Sequence, residues 1–346
     1  MTGGGVTLLW ALRSPCDLGC RYCYFGIVEE HRGGPALPSG QLSHLSRADL
    51  GAGEVLAFAA TLAGSRVERV FLAGGEPLRW PPVFSLIRLI KAAGAQVVVC
   101  TNGIALSRPE ITGALAGAGV DAVSVSLDSA DPVYNDTWRP ARNRKDGWDQ
   151  VVSGITALLR ARGRQERPRV GIYSVITRLN IGDILAVPRL AAGLGCDYAV
   201  AQPVALDPGH PLHGQLSLTP ADAPVVTSAF GRLWVSGLPV AVPAAPYASL
   251  VEAALTAPTG TVRGCFGGST LAFIEPDGSM WDCPSSLKIA AAPRERHASI
   301  RGADARALFA APPPCADCAL FSVDCVNMWP LMDFGRFLAG GRPEPS

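Results

Sequence analysis

The sequence predicts an α/β protein: a partial (βα)6 TIM-like barrel followed by a small C-terminal α+β domain. Three observations predict it. Six apolar β-type runs alternate with helical stretches between Val6 and Pro203, joined by short connections. The residues best suited to chemistry fall at the C-terminal ends of those runs, where α/β folds bind their ligands. Beyond Pro203 the alternation stops, and from Gly264 onward cysteines and a turn signal take over.

Val6–Leu12 reads as the first strand, ending at a cysteine loop. A Gly/Pro-rich loop from His31 to Gly40 follows, then helical periodicity over Ala48–Leu62. Val67–Ala73 is the second strand and stops at Gly74-Gly75-Glu76-Pro77. Helix Val83–Ala93 leads to strand Gln96–Cys100 and to Thr101-Asn102-Gly103. Helix Glu110–Ala118 leads to strand Ala122–Leu127, which ends at Asp128. Asp146–Arg162 is helical, Arg169–Ile176 the fifth strand, Ile181–Leu194 helical and Tyr198–Pro203 the sixth strand. Right-handed crossovers curl such a sheet toward a barrel, and six units fall short of a closed eight. Residues 206–262 are rich in Pro and Ala, with one helix near Ala221–Val235, and read as a connector. Leu271–Glu275 and Ser279–Asp282 flank Pro276-Asp277-Gly278, a hairpin signal. The expected division is therefore 1–205, 206–262 and 263–346.

At 346 residues, 48% apolar and 17% charged, the chain can bury a sizeable core. A net charge of +1 without a basic stripe gives no support for nucleic-acid binding. No apolar run approaches the ~18 residues of a membrane span, and the N-terminus lacks the basic flank of a signal peptide. Ten cysteines without a secretion signal point to metal or redox use in a reducing cytoplasm.

The stretch Cys16-Asp-Leu-Gly-Cys20-Arg-Tyr-Cys23 places three thiols at C-x3-C-x2-C spacing in one loop. Three thiolates hold three irons of a cubic cluster and leave the fourth iron open, whereas four would close the site. The plainer alternatives are three small buried side chains or half a zinc site, but no partner C-x2-C pair lies nearby.

Together with Gly-Gly-Glu-Pro one βα unit later, this loop resembles the radical S-adenosylmethionine (SAM) superfamily over residues 6–203. The resemblance implies that Cys16, Cys20 and Cys23 bind a [4Fe–4S] cluster whose open iron is chelated by SAM. It implies that Tyr22 lies against adenine and that Gly74, Gly75, Glu76 and Pro77 form an edge meeting the SAM amino group. Paired glycines suit a backbone that must approach a ligand closely. Ser126, Asn102 and Asp128 are placed for ribose or substrate contacts; Asn102-Gly103 also reads as an ordinary turn and Ser126 as a satisfied strand residue. A flavodoxin- or ferredoxin-type electron donor is the implied partner, with no nucleic acid and no membrane.

A second resemblance lies in the C-terminal cysteines. Cys265, Gly278 and Cys283 at C-x12-G-x4-C spacing, then Cys315-Ala-Asp-Cys318, look like a SPASM/Twitch module. Its implied ligands for one auxiliary [4Fe–4S] cluster are Cys265, Cys283, Cys315 and Cys318. Cys325 is left over: a substitute ligand, a hydrogen donor to a substrate radical, or a buried apolar residue. Cys100 and Cys196 lie on β-type runs and read as core. His210 and His213 read as loop, and the run Arg139 to Arg144 as a solvated loop that could receive an anionic group.

The expected enzyme abstracts hydrogen from an unactivated carbon and dehydrogenates or epimerises a carbinol of a sugar- or aminocyclitol-type molecule. A strand beginning at Val6 leaves no room for a leader-peptide recognition domain, which favours a small substrate. Maturation of a ribosomally made peptide is the alternative, and a non-catalytic metal- or cluster-binding module is the reading from another class.

Overall fold

The computed structural model describes residues 4–25, 49–145, 147–206, 208–257, 262–284, 298–310, 317–318 and 322–339. Cys315, the loop from His31 to Gly40, Ala48 and Asp146 lie outside the described residues. Six strands form in the predicted places: β1 Val6–Arg13, β2 Val67–Gly74, β3 Gln96–Thr101, β4 Ala122–Ser126, β5 Arg169–Ile176 and β6 Tyr198–Pro203. Each pairs in parallel with the next, in register Trp10↔Leu72, Leu72↔Val99, Val99↔Val123 and Val123↔Val170. Between them run α1 Ala52–Ala60, α2 Val83–Ala92, α3 Pro109–Gly117, α4 Pro132–Trp138, α5 Trp148–Arg162 and α6 Ala186–Leu194. The predicted helix 181–194 is broken: residues 181–183 form a 3-10 turn before α6 begins.

The strands are near-continuous apolar runs because both faces of the sheet are covered. Outward residues such as Leu8, Trp10, Leu72, Val99 and Val123 pack under the helices in one core cluster. There the Trp10 ring meets Phe58 of α1 edge-on at 5.6 Å. Inward residues such as Leu9, Phe71, Val98 and Tyr198 belong to a second core on the concave side.

An incomplete barrel leaves that concave side open, and the C-terminal chain fills it. The connector carries α7 Ala223–Trp234 and α8 Ala245–Thr256, with Phe230 and Tyr247 packed ring to ring at 5.7 Å. The sequence reading missed α8 because its Pro/Ala content resembles a linker; Pro246 sits in the first turn, where a missing N–H costs nothing. Against these helices lie α9 Val323–Val326, α10 Trp329–Met332 and α11 Gly335–Ala339. Trp329 stacks on Phe71 at 3.5 Å, and Phe337 stacks on Tyr198 at 5.2 Å.

The predicted hairpin is present as β7 Leu271–Ile274 and β8 Ser279–Trp281, with β9 Ala298–Ser299 beyond. It extends the barrel sheet: β7 pairs in parallel with β1, Trp10 opposite Ile274, giving the order β6-β5-β4-β3-β2-β1-β7-β8-β9. No helix among the described residues is long and apolar enough to cross a membrane.

Candidate active site

The loop carrying Cys16, Cys20 and Cys23 leaves the C-terminal end of β1 and is held from two sides. On one side the chain after α4 clamps it: Gly19 N donates to Pro140 O at 2.8 Å, Arg21 N to Trp138 O at 3.0 Å and Arg142 N to Asp17 O at 2.9 Å. On the other side it meets the two glycines after β2. Gly75 N donates to Arg13 O at 2.6 Å and Glu76 N to Pro15 O at 2.8 Å. A Cβ on Gly75 would sit 2.2 Å from Pro15 O, and Gly74 holds φ +115° with its Cβ position 2.8 Å from Arg13 O. Both positions therefore require glycine because one strand-end loop presses on another. Both glycines also line the cavity.

The Glu76 side chain is bonded within the protein. Its carboxylate is buried and fully engaged: Oε1 accepts from Leu78 N and Thr101 Oγ1 at 3.0 and 2.8 Å, and Oε2 from Asn102 N at 2.7 Å. Burial, only partly offset by these bonds, pushes it up to about 7. Glu76 thus ties the β2 and β3 ends together, and neither it nor Pro77 lines the cavity, whereas Gly74 and Gly75 do. Asn102 has two functions: Oδ1 accepts from Ile104 N at 2.9 Å in a turn, and Nδ2 reaches Cys16 Sγ at 3.6 Å.

These loops enclose a cavity of about 260 Å³ at the strand C-termini. All three loop thiols line it, with Tyr22, Asn102, Ser126 and Asp128. Tyr22 is buried, and its hydroxyl donates to Asp128 Oδ2 at 2.8 Å. Asp128 Oδ1 accepts from Val175 N at 2.8 Å, and its Oδ2 lies 3.5 Å from Arg139 Nε. Asp128 is therefore occupied by the protein itself. Ser126 and Gln202, by contrast, face the cavity without a hydrogen-bond partner among the described residues.

Two side chains add to or depart from the sequence reading. Cys100 packs against the concave-side core as expected and also lines the cavity, which the sequence does not show; Cys196 is buried as expected. Arg139 is not a solvated loop residue: it is 4% exposed and lines the cavity, although 142–145 are exposed. Its charge is held inside by Asp128 and by the Cys20 thiol, neither of which is a neighbour in sequence, so local pattern gives no sign of it. Burial acts to lower its affinity for the proton, but Asp128 and Cys20 raise it. Guanidinium Nη1 is buried with no hydrogen-bond partner.

Among the described residues no three His, Cys, Asp or Glu side chains converge on a single metal ion; the three loop thiols share a cavity with a buried cation, a donor set suited to a larger, anionic cluster. Burial pushes Cys16 up to about 12, with Glu76 and Cys20 adding to it, and burial also raises Cys20, opposed by Arg139. Such thiols keep their protons until a metal displaces them. Arg139 Nη1 is an orphaned donor suited to a carboxylate.

Farther along the chain, residues 262 and 318 bridge as an antiparallel pair, N to O at 2.7 and 2.9 Å. Burial raises the Cys265 thiol, with Cys318 and Cys325 contributing. A Cβ on Gly267 would be 3.5 Å from Cys265 Sγ and 3.6 Å from Cys283 Cβ, which places Cys283 at the same spot. Cys325 is buried on α9 and does not line the cavity.

A strand-end cavity walled by three thiols, two glycines and a buried cation defines a cluster-dependent enzyme of the partial-barrel class. The profile of the Radical SAM superfamily matches residues 15–191. The chain belongs to the radical SAM superfamily, whose members bind SAM and a [4Fe–4S] cluster. Among curated proteins it is similar to an AdoMet-dependent heme synthase of Methanosarcina barkeri, 30% identical over 195 residues, 56% of this chain and 49% of that protein. It is also similar to a GTP 3',8-cyclase of Chlorobaculum tepidum, 32% identical over 151 residues, 43% of this chain and 39% of that protein. The chain thus spans half the length or less of these relatives. Among solved structures, Streptococcus suis SuiB bound to S-adenosylmethionine aligns over 90% of this chain and 67% of its own, with TM-score 0.63 and 15% identity. Native anSMEcpe with bound AdoMet aligns over 88% and 80%, with TM-score 0.63 and 18% identity. At these identities the likeness is one of fold.

Proposed function

We propose that Cys16, Cys20 and Cys23 hold the SAM-binding cluster and that Cys265, Cys283 and Cys318 hold an auxiliary [4Fe–4S] cluster, with Cys325 or Cys315 as fourth thiolate. When bound, the first cluster and SAM supply reductive cleavage of the sulfonium and a 5′-deoxyadenosyl radical. The chain's own residues bind, orient and exclude water. Arg139 Nη1 takes the SAM carboxylate, Asn102 Nδ2 hydrogen-bonds Cys16, and Ser126 and Gln202 meet hydroxyls of ribose or substrate. Tyr22 is held by Asp128 with its ring edge available to adenine. Trp329 and Met328 close the opposite wall.

The reaction we propose is dehydrogenation or epimerisation of a carbinol carbon in a sugar- or aminocyclitol-type molecule, with the reducing electron supplied by a flavodoxin- or ferredoxin-type donor in the cytoplasm. The observation that carries it is the pairing of neutral polar groups, Ser126 and Gln202, with a cavity whose far wall belongs to the C-terminal segment beside the second thiol set. A peptide substrate is the second reading. It is favoured by the fold shared with SuiB, also solved with precursor peptide SuiA, and with anSMEcpe, also solved with Kp18Cys peptide.

The test is anaerobic reconstitution followed by reduction with dithionite in the presence of SAM. Iron and sulfide should approach eight of each per chain on the expectation of two four-iron clusters, and 5′-deoxyadenosine should form. Stoichiometric zinc without 5′-deoxyadenosine sinks the enzymatic reading. A panel of polyols and of Cys- or Ser-containing peptides then separates the two substrate classes by which of them raises 5′-deoxyadenosine above the substrate-free rate.

A further inference from the structure

Arg139 is a permanent cation, 4% exposed, in a wall of the cavity that it shares with the loop thiols, neutral groups and a single carboxylate, Asp128. Its only carboxylate partner among the described residues, Asp128, is shared with the Tyr22 hydroxyl and Val175 N–H, and stands 3.5 Å from Nε. The backbone on both sides of Arg139 is bonded to the cysteine loop: Trp138 O accepts from Arg21 N, Pro140 O from Gly19 N, and Leu18 bridges Ala141. This clamp holds the segment carrying Arg139 against the loop carrying Cys20, and both side chains line the cavity.

We propose that Arg139, besides meeting SAM, sets the reduction potential of the primary cluster by holding buried positive charge against the Cys20 sulfur. The inference rests on the cluster assignment above. Reduction adds one negative charge to a cluster already carrying three thiolates. A nearby buried cation with N–H donors favours the reduced form, because charge and hydrogen bonding at the sulfurs are main determinants of cluster potential. Burial keeps the interaction from being screened by salt.

The experiment is an EPR-monitored redox titration of the reconstituted full chain without SAM, following the signal that added SAM perturbs. R139Q should retain wild-type iron and sulfide, and its midpoint should fall by a tenfold change in the reduction equilibrium or more, which is about 59 mV for one electron. R139K keeps the charge and should recover at least half of that shift. An unchanged midpoint in loaded R139Q overturns the proposal, and so does an R139K midpoint as low as that of R139Q. Should R139Q fail to take up iron, D128N carries the test. Removing the counter-charge leaves Arg139 less compensated, so the midpoint should rise, and a midpoint that stays or falls overturns the proposal. Wild-type protein that takes up no cluster removes the cluster assignment itself, an outcome distinct from a loaded wild type whose variants are indifferent.

Discussion

Gly75→Ala offers a direct test of how the site is built. The added Cβ would stand 2.2 Å from Pro15 O, 2.4 Å from Ser14 O and 2.7 Å from Pro15 C, where real Cβ contacts are not seen below 3.0 Å. All three are backbone atoms, so no side chain can rotate away, and the two loops must part by at least about 0.8 Å. Forced overpacking costs ~1–3 kcal/mol. The same movement stretches the bonds from Gly75 N to Arg13 O and from Glu76 N to Pro15 O, at ~1 kcal/mol each. A loss of ~3–5 kcal/mol follows, read as a fall in Tm of roughly 4–7 °C. Pro15 precedes Cys16, so the displacement is delivered to the first thiol, and iron content after reconstitution should drop with 5′-deoxyadenosine formation. Gly53→Ala is the matched control: nothing lies within 4 Å of its Cβ position, in the exposed face of α1, and alanine should gain ~0.5–1 kcal/mol there. Wild-type Tm and iron in Gly75→Ala would refute the claim that these glycines exist for loop-on-loop contact.

Two further outcomes are expected. Trp329→Ala removes a ring stacked on Phe71 at 3.5 Å and should cost ~3–5 kcal/mol in a chemical denaturation series, with Trp329→Phe recovering most of it; equal stability of the Ala variant would mean that the C-terminal segment does not fill the barrel. Glu275 is 6% exposed, with Oε2 accepting from Trp281 Nε1 at 3.1 Å and Oε1 unpartnered, and burial pushes it up to about 8. The folded state therefore binds the extra proton between about pH 4.5 and 8, so this residue's contribution is fully present below about 4.5 and is lost as pH rises through 8. Glu275→Gln should gain on wild type across that window by up to ~1.4 kcal/mol per pH unit in thermal melts, and parallel curves would refute the assignment.

The strands were legible because a parallel sheet buried on both faces leaves continuous apolar runs such as Val97-Val98-Val99, and such runs survive in a single sequence. Cys16, Cys20 and Cys23 were legible because their spacing lies within one loop. What escaped depends on contacts between distant parts of the chain. Arg139 and Arg142 look alike in a charged run, but only Arg139 finds Asp128 and Cys20 behind it. Glu76 carries the right motif letter, yet its three donors come from Leu78, Thr101 and Asn102 and turn its carboxylate away from the cavity. Helix α8 was hidden by composition, since Pro246 and a weakly amphipathic Ala-rich stretch mimic a linker. The leftover Cys325 could be placed only once α9 was seen beside the other C-terminal thiols.

The parallel pairing of β7 with β1 also dictates an order of events during folding. Thr7 waits for Leu271, a partner 264 positions later, so the strand that launches the cysteine loop is flanked on only one side for most of synthesis. Closing so long a loop is slow compared with forming local βα units. Until it closes, the apolar segment Leu8-Leu9-Trp10-Ala11-Leu12 presents an unpaired edge, the kind of surface that recruits other chains. The strand that launches the cysteine loop thus gains its second neighbour only after the hairpin has been made.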